Sequence, residues 1–536
     1  MRQDINAKLT GARNSCKKIF IQIDGVPYEI VKKAIEKGYM PNLKRNLKFR
    51  GYKLYKYYSE LPSNTPAAQM KIMYGLKDMI MGFRWYSKKN KRHYSFKDTG
   101  TALYWENEAD KKCTTPIVKK GASYINMFSG GADRAILTFS RAFDINLKRR
   151  IRNNEVWQFI FLNMDFIFKV AFEVIKEFFT ELYEYLKYKI KKIPQRSINF
   201  FPYVRVGSAV FFREIATMGA IIEMNEMNEK IYLTYNAYDE VAHQRGPETK
   251  EAIKTLRRID RSIGKVVKNG HKKGYEIFIF SDHGQTTSTP FEAIYGKTIE
   301  QFIKESALNK LQIEKNGREG ENSEPLVIYF LKRVFRWLVE EGHNKTARIV
   351  KKIFKISSEN IKKEKKDKNC EIIVEKSGPL AHIYFTEKVE RILKSEIEEM
   401  TEGFIEKLIN HEGIEFACFV LKEGYEICGK KGKIILDENF KIKEEKGTLF
   451  QNIIEMTKIK VIDSLKEIVC GEESGDILIF GAVLGKNRIV NFEEQYGAHG
   501  GIGGMQNYPF LITDRVIDEE ELTISKFYSL FSRERD

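Results

Sequence analysis

The sequence predicts an α/β fold: a largely parallel central sheet flanked by helices, with an inserted α+β cap module. Three observations predict it. Short apolar runs recur at Lys17–Asp24 (KKIFIQID), Lys230–Tyr238 (KIYLTYNAY) and Gly274–Ser281 (GYEIFIFS), each of the kind that forms a buried strand. Helical patterns separate them, and strand–helix–strand order is the signature of parallel pairing. Each run leads into an aspartate, Asp24, Asp239 or Asp282. In open α/β sheets ligands bind outside the carboxyl ends of the strands, so chemically active residues belong there.

The elements follow in order. Tyr28–Lys37 has helical spacing and stops at Gly38. Leu61–Gly75 (LPSNTPAAQMKIMYG) predicts a helix capped by Thr65, with Pro66 at its first position and Gly75 at its end. Val156–Lys192 has a broad aromatic face, and Asp165, Lys169, Glu173 and Lys176 interrupt it at helical spacing. Such an amphipathic helix packs on its own protein or a second copy, or lies in the plane of a membrane surface; acids on its polar face favour packing. Glu248–Asn269 predicts a helix ending at Gly270. From Gln301 to about Lys376 the chain is rich in lysine and glutamate and helical in pattern. Then follow a strand at Gly378–Phe385, a helix at Val389–Asn410, a strand at Ile414–Leu421 and a hairpin at Gly424–Leu436. Gly475–Gly481 (GDILIFG) completes the set as a fourth core strand. The resulting organisation is a core in two parts, 1–300 (with a helical insertion at 151–200) and 471–536, separated by an inserted module at 301–470.

A chain of 536 residues with 42% hydrophobic and 12% aromatic content has the material for a large core, which excludes a disordered protein. The net charge of +18 favours anionic partners: small phosphorylated substrates, nucleic acid or an acidic membrane surface. A solvated lysine-rich surface accounts for much of that charge, as around Lys362–Lys368, so nucleic acid is not required. The cysteines at 16, 113, 370, 418, 428 and 470 form no CxxC pair, which fits reduced thiols of a cytoplasmic protein. No secretory signal and no run of eighteen uncharged apolar residues is visible; peripheral membrane contact through 156–192 is the one exception to a soluble reading.

The chemistry lies in short motifs far apart in the chain. Asp24 sits in IQIDG, Asp239 and His243 in YDEVAH, Asp282 and His283 in FSDHG, and His499 in GAHGG. Only eight histidines exist, and three fall here. Each motif alone is explained by a helix cap, a turn or a loop. Together, carboxylates and imidazoles at strand ends are the ligands of a two-metal hydrolytic centre. Thr65 at a helix N-terminus faces the positive end of the dipole, a site for phosphoryl oxygens. Its hydroxyl becomes a nucleophile only where a base or cation lowers its pKa.

In this order Asp-Gly, PSNTP, YDEVAHQRGP, Asp260 in RIDRSIG, SDHGQ and GAHGG resemble the alkaline phosphatase superfamily, and within it the type I phosphodiesterase/nucleotide pyrophosphatase branch. The resemblance covers Lys17–Leu103, about Arg205–Phe302 and Gly475–Leu511. It implies an alkaline-phosphatase-like fold and two divalent ions about 4 Å apart. Zinc is usual in the family, and manganese also suits the mixed ligands. One ion would be held by Asp24, Thr65, Asp282 and His283, the other by Asp239, His243 and His499. Thr65 would be the nucleophile and carry a phosphothreonine intermediate. The chain departs from the family in MGFRWYS (Met81–Ser87), which lacks the asparagine that helps hold the phosphoryl oxygen in nucleotide pyrophosphatases; Arg84 could serve instead. Trp85 and Tyr86 are expected in the core, and His382 as a packed, hydrogen-bonded histidine. The expected function is a metal-dependent phosphoric ester hydrolase acting on a phosphodiester or pyrophosphate. A phosphomonoesterase or phosphoryl mutase on the same site is the second reading. A basic scaffold or membrane-surface binding protein with the same fold is the reading without turnover.

Overall fold

The computed structural model describes residues 17–141, 164–198, 201–307, 372–453, 456–517 and 522–534. Its centre is a seven-stranded sheet in the order β2 (Lys53–Lys56), β19 (Phe510–Thr513), β8 (Glu276–Phe280), β1 (Lys18–Ile23), β7 (Lys230–Tyr235), β5 (Ala122–Tyr124) and β6 (Arg134–Ile136). β1 pairs in parallel with β7 and β8, and β5 pairs in parallel with β7 and β6. β19 runs antiparallel to its neighbours β8 and β2. The sheet is therefore largely parallel, as expected.

Every residue of β1 is buried because helices cover both faces. Ile19, Ile21 and Ile23 point to one core, which holds α1 (Tyr28–Glu36), α2 (Pro41–Phe49) and much of the later helical part. Phe20 points to the other, against α3 (Thr65–Tyr74) and α4 (Thr99–Lys112). The run read as a strand to Tyr238 turns at Asn236, because α8 (Ala237–Arg245) begins there; Asp239 thus sits in a first helical turn. α9 (Lys250–Lys272) buries Ala252, Leu256, Ile259, Ile263, Val266 and Val267 at helical spacing. It runs through Gly270, which the sequence marked as a stop. That glycine is needed for close approach instead: a Cβ there would lie 2.9 Å from the Ile277 side chain. Asp260 of α9 caps a neighbouring helix, its carboxylate accepting the backbone N–H groups of Asn42 and Leu43 at 2.9 Å each.

A second, antiparallel sheet has the order β10 (Ile372–Ser377), β11 (Leu380–Phe385), β16 (Ile477–Gly481), β12 (Ile414–Leu421), β13 (Gly424–Gly429), β14 (Gly432–Leu436) and β15 (Ile442–Gly447). The strand expected as the fourth of the core sheet is β16, and it lies here, between β11 and β12. The single helix expected over 389–410 is two short ones, Lys394–Met400 and Phe404–Ile409, broken at Gly403, whose φ of +71° suits glycine best. A three-stranded sheet, β17 (Arg488–Asn491), β9 (Thr286–Pro290) and β18 (Gly497–Ala498), brings the C-terminal motif back to the core. β3 (Arg84–Ser87) and β4 (Arg92–Ser95) form a hairpin.

α5 (Met164–Ile190) lies against α6 (Phe201–Val206), a π-helix at Gly207–Phe212 and α7 (Arg213–Asn225). Residues 156–163, most of the lysine-rich stretch from 301, the Lys362–Lys368 patch and Cys16 and Cys370 lie outside the described residues. Among the described residues no helix is long and apolar enough to cross a membrane.

Candidate active site

All the residues singled out for the metal-type site meet at one edge of the parallel sheet. Asp24 follows β1, Asp282 and His283 follow β8, and Asp239 and His243 lie on α8 after β7. These three strands are adjacent, so their carboxyl ends open into one crevice. Thr65 is the first residue of α3, and the N-cap is Asn64, not Thr65: the Asn64 side chain accepts the Ala67 N–H. That one-residue shift releases the threonine hydroxyl. Its Oγ1 donates to Asp24 Oδ1 at 3.1 Å and lies 3.2 Å from His283 Nε2. His499 follows β18 and stacks on His283 with ring centroids 3.9 Å apart. Two groups have their ligand-type atoms within 4.8 Å of one another: Asp24, Asp282 and His283, and Asp239, His283 and His499. His243 adjoins the second, with Nε2 3.1 Å from Asp239 Oδ2.

The imidazoles share one arrangement. Nδ1 of His283 faces the Gly284 carbonyl oxygen at 2.9 Å, Nδ1 of His243 faces that of Gly497 at 2.8 Å, and Nδ1 of His499 faces that of Ser63 at 3.0 Å. A carbonyl oxygen only accepts, so Nδ1 carries the proton in each ring and a neutral ring turns its Nε2 lone pair into the crevice. Nε2 of His243 and Nε2 of His499 are 3.1 Å apart. Two lone pairs at that distance repel unless a positive charge lies between or beside them.

The carboxylates raise the same demand. Asp24 sits well above the usual carboxylate range, first because it is buried and then because Asp282 and Asp239 face it. Asp282 is pushed up to about 6 by burial and by Asp239. Burial also works against the charge on Asp239, yet His243, which Asp239 in turn raises, holds that group below the usual range. Burial pushes His283 down to about 4 and His499 to about 3, which keeps both rings neutral at ordinary pH. Asp282 Oδ2 is buried with no hydrogen-bond partner among the described residues. An orphaned carboxylate oxygen, facing lone pairs and three clustered acids together fit divalent cations as their counter-charge. The backbone is shaped to allow this: Gly25 has φ +70°, and a Cβ on it would fall 2.2 Å from Asp239 Oδ1.

Arg84 is held on its hairpin by Glu493, Nη1 to Oε1 at 2.7 Å. Burial opposes the charge on Glu493, but Arg84, with Lys97, Lys376 and Arg196 also contributing, holds it at about 2. Trp85 and Tyr86 are buried in the core, Trp85 against Tyr94, Phe96 and Trp105. His382 is buried and doubly hydrogen-bonded, facing the Met81 carbonyl and accepting the Gly475 N–H. Two residues inside the quoted motifs, given no role from the sequence, also shape the site. Gln285 donates to the Asp239 carboxylate, and the Ser63 hydroxyl accepts the Gly500 N–H at 3.1 Å beside His499. Ser63 belongs to PSNTP and Gln285 to SDHGQ, and that membership was the signal for them. Glu493, by contrast, had none.

A largely parallel sheet with acids and imidazoles converging around a threonine at its carboxyl edge defines a phosphoryl-transfer type of enzyme. The family model for type I phosphodiesterase / nucleotide pyrophosphatase matches residues 18–393, and the chain belongs to that family. It is a hydrolase acting on phosphoric ester bonds. No curated protein sequence matches it. Among solved structures it is similar to a phosphonoacetate hydrolase from Sinorhizobium meliloti 1021 in complex with phosphonoformate, at 13% identity and a TM-score of 0.47 over 96% of this chain and 95% of that one. It is also similar to murine ectonucleotide pyrophosphatase/phosphodiesterase 5, at 10% identity and a TM-score of 0.42 over 96% of this chain and 93% of that one.

Proposed function

We propose that the chain is a metal-dependent phosphodiesterase or pyrophosphatase-like hydrolase that works through a phosphothreonine at Thr65. The observation that carries this reading is the meeting of the Thr65 hydroxyl with two groups of acids and imidazoles whose lone pairs and charges face one another. Asp24, Thr65, Asp282 and His283 would hold one divalent ion, and Asp239, His243 and His499 the other. Two such ions, zinc or manganese, would supply Lewis-acid charge at the attacking and leaving oxygens.

The chain's own residues then have defined tasks. Thr65 Oγ1 attacks phosphorus as the bond to the leaving oxygen breaks, and its proton passes toward Asp24 Oδ1, 3.1 Å away. Thr65 opens α3, so the phosphoryl group lies at the positive end of that helix dipole. Water then attacks the phosphothreonine, the P–Oγ1 bond breaks and Thr65 regains its proton. Ser63 and Gly497 fix the rings of His499 and His243 through their carbonyl oxygens, so that Nε2 of each stays turned inward. The 301–470 segment is proposed to wall the site: a Cβ at Gly378 would lie 2.2 Å from the His499 carbonyl oxygen, so the two segments are in direct contact.

Turnover of bis-p-nitrophenyl phosphate and p-nitrophenyl phosphate tests the reading. Release is expected with added zinc or manganese, faster from the diester, and lost on chelation. Metal-dependent release from the monoester alone would move the assignment to a phosphomonoesterase. No release from either would leave the family fold as a scaffold without turnover.

A further inference from the structure

Helix α5 is built inside out. Its glutamates point inward: Glu173 pairs with Arg213 at 2.6 Å, Glu177 with Arg205 at 2.7 Å, Glu181 with Arg205 and Arg245 at 2.6 and 2.5 Å, and Glu184 with Arg205. Six of its large apolar side chains point outward. Phe172, Ile175, Phe179, Tyr183, Leu186 and Ile190 are all exposed, from 54% at Leu186 to 80% at Ile190. They recur every three or four residues and so form one stripe along the helix. A folded chain rarely leaves a contiguous apolar surface of this kind to water, and such a stripe marks a contact with something else.

The charges beside the stripe identify what that is. Lys176, Lys189, Lys191 and Lys192 are exposed and pair with no carboxylate among the described residues. Lys176 also lines a cleft in which Arg213, Arg258, Arg261 and Lys265 outnumber Glu173, Glu177 and Glu214. The sequence argument for packing was that acids share the polar face of this helix. In the structure Glu173, Glu177, Glu181 and Glu184 pair with Arg205, Arg213 and Arg245, and the exposed charged residues of the helix among those described are lysines. Two copies joined through this face would set lysine against lysine. An anionic bilayer supplies both halves of the complement, an acyl boundary for the rings and negative headgroups for the lysines.

We infer that α5 docks in the plane of an anionic phospholipid surface through Phe172, Ile175, Phe179, Tyr183, Leu186 and Ile190, with the lysines on the headgroups. Tyr183, with an apolar ring and a polar hydroxyl, suits the interface itself.

Flotation of the full chain with vesicles tests this. Binding is expected to vesicles of phosphatidylcholine with about 30% phosphatidylserine, weakly or not at all to phosphatidylcholine alone, and less in about 0.5 M salt. Lys176→Glu, Lys189→Glu and Lys191→Glu together should weaken it on the order of 100-fold. Ile175→Glu with Phe179→Glu should remove it. These side chains are exposed, so both variants should keep the parent's thermal midpoint and ester turnover, which excludes misfolding as the cause. The inference is overturned if anionic vesicles do not bind the parent, or if both variants bind as the parent does. It is also overturned if the parent is a dimer that Ile175→Glu with Phe179→Glu dissociates while no vesicle binds, which makes a second copy the occupant.

Discussion

Thr65→Ala is expected to lower turnover of the preferred ester by about 10⁴-fold or more while leaving the metal ions bound. The size follows from removing the only hydroxyl that lies within 3.2 Å of both Asp24 and His283 among the described residues. Retention of the ions follows from what remains: Asp24, Asp282 and His283 still gather their ligand atoms within 4.8 Å of one another. A nucleophile that forms a covalent intermediate leaves a second signature. Parent enzyme quenched during turnover should carry a phosphoryl group on Thr65 that mass spectrometry locates, and the alanine variant should carry none. Full-rate turnover by the variant would mean that water or another side chain attacks, and the phosphothreonine reading would fall.

Arg205→Leu is expected to cost about 3–5 kcal/mol of stability, the penalty for breaking a buried ion pair by removing one partner. Arg205 is 3% exposed, and its guanidinium serves Glu177, Glu181 and Glu184 at once. Glu177 retains Arg258 and Glu181 retains Arg245, but Glu184 is left with Arg245 at 3.9 Å. The damage should therefore centre on α5 and the helix Phe201–Val206, with faster hydrogen exchange there than in the parallel sheet. The network also reaches the site, because Arg245 lies on α8, two residues beyond His243. Arg205→Lys keeps the charge and loses the fork, so it should fall between parent and leucine variant. A leucine variant as stable as the parent, with unchanged exchange across 170–206, would show that the arginine network does not hold α5 in place.

The residues of the candidate site stand out in the sequence because their pattern is local: an aspartate after an apolar run, a histidine one turn later, an Asp-His pair before glycine. What they would pair with was less legible. The apolar run at 475–481 announces a strand but carries no mark of which sheet it joins, and the partners that claim it, β11 and β12, are fixed by long-range pairing such as Ile414 with Gly481 and Leu380 with Phe480. Asn64 and Thr65 are both good N-caps, and only the fold decides that Asn64 takes the Ala67 N–H and leaves the threonine free. Gly270 was read as a helix stop because glycine usually ends helices; here contact with Ile19 and Ile277 explains it instead. The face by which α5 packs was not legible for a related reason. Amphipathic patterns are read on the rule that the apolar face is buried, and nothing local to 164–190 reveals that arginines at 205, 213, 245 and 258 bury the polar face. Arg84 was singled out for a phosphoryl oxygen without knowledge of Glu493, which lies more than 400 residues away and holds it.

The central claim is that seven residues from five segments of the chain form one two-cation centre. Anomalous diffraction from crystals grown with zinc, recorded on both sides of the zinc edge, tests it most directly. Two peaks are expected about 4 Å apart, one against Asp24, Thr65, Asp282 and His283 and the other against Asp239, His243 and His499. No peak within bonding distance of these side chains, or peaks only at other places on the chain, would contradict it.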